Sequence, residues 1–370
     1  MDNLTHSLFG LTLARTPLGG RRASTIALVL ASNAPDIDIV ATAGGSAKYL
    51  EWHRGPTHGL PGVIGLGLVV AAIGWLIDRK WGSSDPAPRV SFGRLWIVSM
   101  IGVACHVLMD LPTSYGTRPL SPFAWTWFAQ DWEPILDIYL LAILAAGLWF
   151  GRSPRKTAAV SAPMGRSRNA VLALGLMMVN YGVRATAHHE AIAQAPQVFG
   201  AQLPAPCADV PPASPFEHWP RKSEPAAADG SSRCLVEIAA MPDFLSPFRW
   251  RLIAHLSNSF EVRTVDLLSD RERLTSSDVR LNAVHYPNIW TPAVFQAAQA
   301  PVARVFLGFS RFPAARSVVG ADGAATVRWN DLRFISDTTP NLRERAPNLF
   351  TATVQLNPEG TVVRERLGSQ

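Results

Sequence analysis

The sequence predicts an α-helical multi-span membrane domain followed by a small, mainly β (α+β) extramembrane domain. Three observations carry this reading. The 370 residues are 48% apolar and only 17% charged, where an ordinary soluble domain carries about 25% charged residues. The shortage of charge is confined to residues 1–187, which hold long apolar runs, whereas residues 188–370 read as a soluble sequence. Beyond residue 233 the apolar residues fall into short strand-length runs between turn residues. A fibre, a disulfide-dense mini-protein and a single uniform globule are excluded. The chain divides into a membrane domain (1–187), a Pro/Ala-rich linker (188–232) and an outer β-rich domain (233–370).

Each segment has its own warrant. A membrane-crossing helix needs roughly 20 apolar residues. Residues 4–14 and 23–40 form a shorter apolar pair, split by Arg15, Arg21 and Arg22, which reads as two short spans or one re-entrant hairpin. Residues 59–77 carry no charge and are long enough to cross. Residues 95–111 are apolar except for His106 and Asp110 at their far end, and residues 135–150 except for Asp137 at their near end. Residues 169–187 are interrupted only by Asn180 and Arg184. No cleaved signal peptide is expected, because Asp2 stands where a basic region belongs and no small-residue cleavage site follows. In the outer part, strands are expected at 234–240, 248–256, 260–267, 302–309, 325–334, 350–356 and 361–366, with a hairpin across Ser257-Asn258-Ser259 and a short helix at 292–299.

Orientation follows from basic residues in the loops. One set of connections holds Arg15, Arg21, Arg22, Arg79, Lys80, Arg89, Arg94, Arg152, Arg155, Lys156, Arg166 and Arg168; the alternate set holds Lys48, Arg54 and Arg118. The first set is placed in the cytoplasm. Residues 188 onward then emerge on the opposite face, the periplasm for a bacterial inner membrane. The net charge of +6 belongs to cytoplasmic loops and not to a nucleic-acid surface. Cys105 lies within a span. Cys207 and Cys234 lie in the outer part, where a disulfide can persist; two unrelated buried thiols are the alternative. Trp125, Trp127, Phe128 and Trp132 read as an interfacial aromatic belt.

The ionisable residues beside apolar segments are His6, Asp36, Asp38, His53, His58, His106, Asp110 and Asp137. With this orientation each lies at the outer end of its segment. A charged group within a bilayer is penalised by several kcal/mol, about 2.5 to 3.5 for Asp at a helix centre, and persists when paired, hydrated or bound to metal. His106 and Asp110 are one helical turn apart and share a face. Imidazole and carboxylate without Cys suit a divalent ion, Zn²⁺ first, with Mn²⁺ or Fe²⁺ as alternatives, and there are groups enough for one or two ions. Taken singly, each motif has a plainer reading: a helix end at Asp36 and Asp38, an interfacial loop at 53–56, a helix start at Thr57-His58, a structural pair at His106 and Asp110. The joint, one-sided pattern favours a metal site.

The motifs Met1-Asp2-Asn3-Leu4-Thr5-His6, Pro35-Asp36-Ile37-Asp38, His53-Arg54-Gly55-Pro56-Thr57-His58 and His106-Val107-Leu108-Met109-Asp110, with Thr113–Gly116, Pro119–Pro122 and Asp137, resemble the YdjM-like family. Its members are LexA-regulated, membrane-bound, metal-dependent hydrolases of bacterial inner membranes. The likeness covers residues 1 to about 150, and the outer part, with Pro247–Trp250 and Asp331–Phe334, resembles the extra domain of longer members. The resemblance implies the same eight His and Asp residues as metal-site candidates. The expected function is a metal-dependent hydrolase whose activated water attacks a phosphoester or lipid-linked substrate at the outer face of the bilayer. Asp38 or Asp110 takes the proton, and Arg118 or Arg54 holds the anion or anchors a headgroup. An ion or proton transporter and a non-catalytic membrane scaffold are the alternatives.

Overall fold

Asp2 starts the first helix by accepting hydrogen bonds from the Leu4 and Thr5 amides at 3.0 Å each, which satisfies two donors that a helix start leaves open. The computed structural model describes residues 1–81, 89–150, 164–200, 203–208, 210, 216–220, 233–269, 284–335 and 350–368. The basic loop residues Arg152, Arg155 and Lys156, and much of the expected linker at 188–232, lie outside these. The part of that linker at 188–200 is helical.

In chain order the helical elements begin with α1 (Asn3–Leu13) and α2 (Arg22–Ala31). After Pro35 the chain tightens into a 3-10 segment, Ala34–Gly44, bent 44° from α2. Then come α3 (Ser46–Trp52), α4 (Leu60–Trp81), α5 (Phe92–Asp110), the short strand β1 (Trp127–Ala129), α6 (Ile138–Phe150) and α7 (Met164–Ala193). Among the described residues, three helices are long and apolar enough to cross a membrane: Leu60–Lys80, Phe92–Asp110 and Arg168–Ala193. A fourth is added if α2 and the bent 3-10 segment make one span. The described part of α6 is 13 residues, about 20 Å at 1.5 Å per residue, which is short of a bilayer core of about 30 Å.

The chain separates into two compact units. The first holds Met1–Ile39, Arg54–Thr186 and Phe244–Pro247; the second holds Val40–His53, Ala187–Asp243 and Phe248–Gln370. In the first unit, Ile64, Leu68, Val69 and Leu76 on α4 and Val171, Leu172, Met178 and Val179 on α7 are exposed. Lipid accepts such surfaces without the cost water imposes. The inward faces use small residues. Ala23, Ala27 and Ala31 of α2 pack with Val70, Ala71, Leu95 and Val103. A Cβ built on Gly102 would lie 2.6 Å from the Ala31 Cβ, so α2 and α5 approach closely because this position has no side chain.

The second unit holds α3, α8 (Ala195–Phe199) and β2 (Glu217–Trp219), then an antiparallel sheet of β3 (Leu235–Pro242), β4 (Arg249–Leu256), β5 (Ser259–Asp266) and β6 (Val284–Pro287). After α9 (Pro292–Ala297) and α10 (Pro301–Phe309) comes a second antiparallel sheet of β7 (Pro313–Val319), β8 (Ala325–Asp331), β9 (Thr351–Leu356) and β10 (Val362–Leu367). The first sheet is buried on both faces. Trp250, Leu252, Ala254, Leu256 and Val265 pack on Ala187, Ala191, Ala195, Val198 and Phe199. On the other face, Ile253, Phe260 and Val262 pack on Phe312, Ala314 and Leu332. The expected hairpin forms, with Arg249 opposite Asp266 and Leu256 opposite Ser259. Cys207 and Cys234 are joined in a disulfide.

Two expectations are corrected. Residues 302–309 are helical, not a strand: Pro301 suits a first helical turn, and the buried residues Ala303, Phe306 and Phe309 recur every three positions, a helical period in a segment that Val302, Val305 and Phe306 make strand-like in composition. The strand expected over 325–334 stops at Asp331. There Oδ1 accepts from the Arg333 amide and starts a 3-10 turn, Leu332–Phe334. Strands β6 and β7 were not anticipated.

Gly102→Val forces α2 and α5 apart. It should lower the thermal midpoint of the detergent-solubilised chain by an amount corresponding to about 1–3 kcal/mol. Gly175→Val, at a position with nothing within 4 Å of a built Cβ, should leave the midpoint within error.

Candidate metal centre

The site is built where three pieces of chain meet the last turn of α5. His106 and Asp110 project from one face of that helix, as their spacing predicts. The loop 53–58 is turned by Arg54, which has a left-handed φ of 52°. Its amide donates to Asp38 Oδ2 at 2.7 Å, tying the loop to the 3-10 segment. The His58 and Gly59 amides both bond back to the Gly55 carbonyl. A Cβ on Gly59 would lie 2.0 Å from the Ser121 carbonyl oxygen, so only glycine lets this turn sit against Ser121.

Asp36, His58, His106 and Asp110 converge so that one ligand atom from each lies within 4.8 Å of all the others. Asp36 is the partly open member; the other three are buried. The Nε2 atoms of His58 and His106 are 3.2 Å apart. Each lies 3.3 Å from Asp110 Oδ2, and they lie 3.7 and 3.5 Å from Asp36 Oδ1. On its far side His106 Nδ1–H donates to the Ser32 carbonyl at 2.8 Å. A carbonyl only accepts, so Nδ1 carries a proton and Nε2 is the nitrogen turned into the cluster. This is the outer-shell arrangement that orients metal-ligating histidines. His58 Nδ1 faces Thr57 Oγ1 at 3.0 Å and Asp38 Oδ2 at 3.7 Å, two groups able to accept its proton. Burial pushes the His58 imidazole down to about 4, so it is neutral at pH 7, as a metal ligand must be.

The residues fit a divalent ion on two further grounds. The buried atoms Asp36 Oδ2 and Asp110 Oδ2 accept no hydrogen bond among the described residues. Two imidazoles and carboxylate oxygens suit Zn²⁺, Mn²⁺ or Fe²⁺.

The other candidates fall around this group or away from it. His6 is buried, stacks on His106 with ring centroids 3.8 Å apart, and places Nε2 3.4 Å from Asp110 Oδ1. Asp38 holds the Arg54 amide and backs His58. Arg54 Nη2 bonds Asp110 Oδ1 at 2.9 Å, while Nη1 bonds the Gly116 carbonyl at 2.9 Å. Arg118 donates its amide to the Arg54 carbonyl at 3.2 Å, and its guanidinium lies over Trp125 and Trp127, 4.6 and 4.4 Å from their ring centroids. Trp127 is thus buried against Arg118 and does not belong to an interfacial belt. His53 falls in the second unit, where it stacks on Tyr49. Asp137 joins Arg184, Asn180 and Glu133 instead of the four-residue group.

The profile of the YdjM inner membrane protein family matches residues 1–191, more than half of the chain. The chain belongs to the YdjM inner membrane protein family. The matched stretch covers every residue of the four-member group and its surroundings. A Bacillus subtilis (strain 168) protein described as "Uncharacterized protein YfhP" is 32% identical over 168 residues, which is 42% of this chain. The match spans 48%, about half, of that relative's length. No solved structure matches the chain.

Removing the cation that faces a buried carboxylate is expensive, about 3–5 kcal/mol. Arg54→Met should therefore destabilise the purified metal-free chain by that order in an SDS unfolding titration. An Arg54→Met chain as stable as the parent would show that the Arg54–Asp110 pair does not hold this site together.

Proposed function

We propose that the chain is a membrane-bound metal-dependent hydrolase acting on a phosphoester or lipid-linked ester at the outer face of the inner membrane. The observation that carries this reading is the convergence of His58 Nε2, His106 Nε2, Asp36 and Asp110 on one point, with both imidazoles tied from behind. When bound there, a divalent ion would acidify a water toward a pKa of about 7 and so supply a nucleophile at neutral pH. The chain's own groups divide the remaining work. His58, His106, Asp36 and Asp110 would hold the ion. Asp38, 3.7 Å from His58 Nδ1, would orient that ring and is the nearby carboxylate able to take a proton. Arg54 fixes Asp110 and keeps one carboxylate oxygen turned to each side. Arg118, held by two indole rings, would set the anion-binding edge of the site. Asp36, being partly open, marks the side from which substrate would enter.

The placement outside the cytoplasm rests on the unequal sharing of Lys and Arg between alternate loops. The Cys207–Cys234 disulfide supports it, since such bonds persist in oxidising compartments. Spheroplasts treated with a membrane-impermeant reductant and then a polyethylene glycol maleimide should show mass addition at Cys207 and Cys234. Labelling only after the membrane is permeabilised would put this half in the cytoplasm.

The catalytic reading is checked by metal analysis and turnover together. The purified chain should hold zinc or manganese, and should hydrolyse bis(p-nitrophenyl) phosphate or a p-nitrophenyl acyl ester in a chelator-sensitive way. His106→Ala should lose the ion. Asp38→Asn should weaken metal affinity about 10–100-fold, the usual cost of losing an outer-shell partner. A parent chain that takes up no divalent ion would end this reading.

A further inference from the structure

The first unit contains a second buried polar cluster that the metal centre does not use. Arg184 Nε on α7 lies 2.6 Å from Asp137 Oδ2 and 3.3 Å from Glu133 Oε2. Asn180, one turn earlier, donates Nδ2 to Glu133 Oε1 and to Asp137 Oδ2, both at 3.1 Å. The Tyr139 and Leu140 amides donate to Asp137 Oδ1 at 2.7 and 3.1 Å. Glu133, Asp137 and Arg184 are each 1% exposed or less. The Tyr181 hydroxyl, on the same stretch of α7, is buried and has no hydrogen-bond partner among the described residues. Its acidic neighbours are Glu133, Asp137 and Asp110.

We propose that Glu133 and Asp137 form a buried proton-binding site, in which one proton is held between the two carboxyl groups. The argument is charge balance. Two ionised carboxylates against one guanidinium would leave a net negative charge away from water, which costs several kcal/mol. One added proton makes Glu133-COOH, Asp137-COO⁻ and the Arg184 guanidinium neutral as a set. Asp137 already receives two backbone amides, Asn180 and Arg184 Nε, so it is the better carboxylate and Glu133 the better acid. Burial, with Asp137 beside it, pushes the Glu133 carboxyl up to about 10, which agrees with this division. Tyr181, whose hydroxyl can both accept and donate, faces the same pair.

The site has a use if the chain hydrolyses esters, a role that rests on the reading above. Attack by water releases one proton, and the departing oxygen takes one up. Glu133 can give its proton to that oxygen, and the pair can then recover one from the water, with no net change. Its backbone is placed close to the metal centre: the Glu133 amide bonds the Pro112 carbonyl at 3.0 Å, two residues past Asp110.

The test needs neither substrate nor metal. Infrared spectra of the full chain in lipid nanodiscs, with ¹³C-labelled Glu, should show at pH 7 the C=O stretch of a protonated, isotope-shifted carboxyl. The band should fade only as the pH nears 10. Glu133→Gln should remove it and leave the thermal midpoint close to the parent's, because Gln is a neutral mimic of the acid. Asp137→Asn should also remove it, since Glu133 then faces Arg184 alone and ionises. A parent chain without the band, or a band that survives Glu133→Gln, overturns the proposal. If Asp137→Asn fails to fold, the Glu133→Gln comparison decides by itself. Loss of hydrolysis with the band intact would count against the hydrolase reading and not against the proton site.

Discussion

The Asp110 carboxylate is fully buried, and the first unit is organised around keeping it ionised. Its two oxygens face different neighbours. Oδ1 meets the Met1 ammonium, Arg54 Nη2 and His6. Oδ2 meets the Nε2 atoms of His58 and His106. A carboxylate removed from water is tolerated only with such company. These five neighbours arrive on three pieces of chain: the start of α1, the loop before α4, and α5 itself. The closeness of α2 to α5 follows from the same demand, because His106 must reach the Ser32 carbonyl at the end of α2, and Gly102 makes room for that approach.

Much of this was legible in the sequence, and the reasons for the failures are physical. Position along an apolar run is readable, and the sequence puts all eight candidates at or beside the expected outer ends of such runs. Direction around the bundle is not readable that way. Asp137 stands at the near end of its apolar run but faces α7, where Asn180 and Arg184 answer it. Those two residues were visible as polar breaks four apart in the last span, and Glu133 stands four before Asp137. That matched spacing was the available sign of a separate cluster. His53 lies only five residues before His58, yet the turn at Arg54 sends the two rings to different units. His6, Asp36, Asp38, His58, His106 and Asp110 do gather.

The second unit shows the same contrast at the level of elements. The hairpin of β4 and β5 was visible because its runs and turn are local. The helix α10 was not, because its nine residues are rich in Val and Phe and only Ala303, Phe306 and Phe309 mark its period. In the first sheet β4 is buried at nearly every position, since one face meets Trp250's neighbours on α7 and α8 and the other meets Phe312. Alternation then gives way to consecutive buried residues, the pattern expected of a strand covered on both sides.

The left-handed backbone at Arg54 limits which residues could ever stand there. A φ of 52° is comfortable for glycine, and next for asparagine, while other residues carry strain of about 1–3 kcal/mol. The residues that would relax the backbone are those that remove the guanidinium from Asp110. Lysine keeps a charge but cannot fork between Asp110 and the Gly116 carbonyl as Arg54 does. The position thus has no tolerant neighbours in sequence space: every single step away from arginine gives up either the fork or the charge, and the steps that ease the turn give up both.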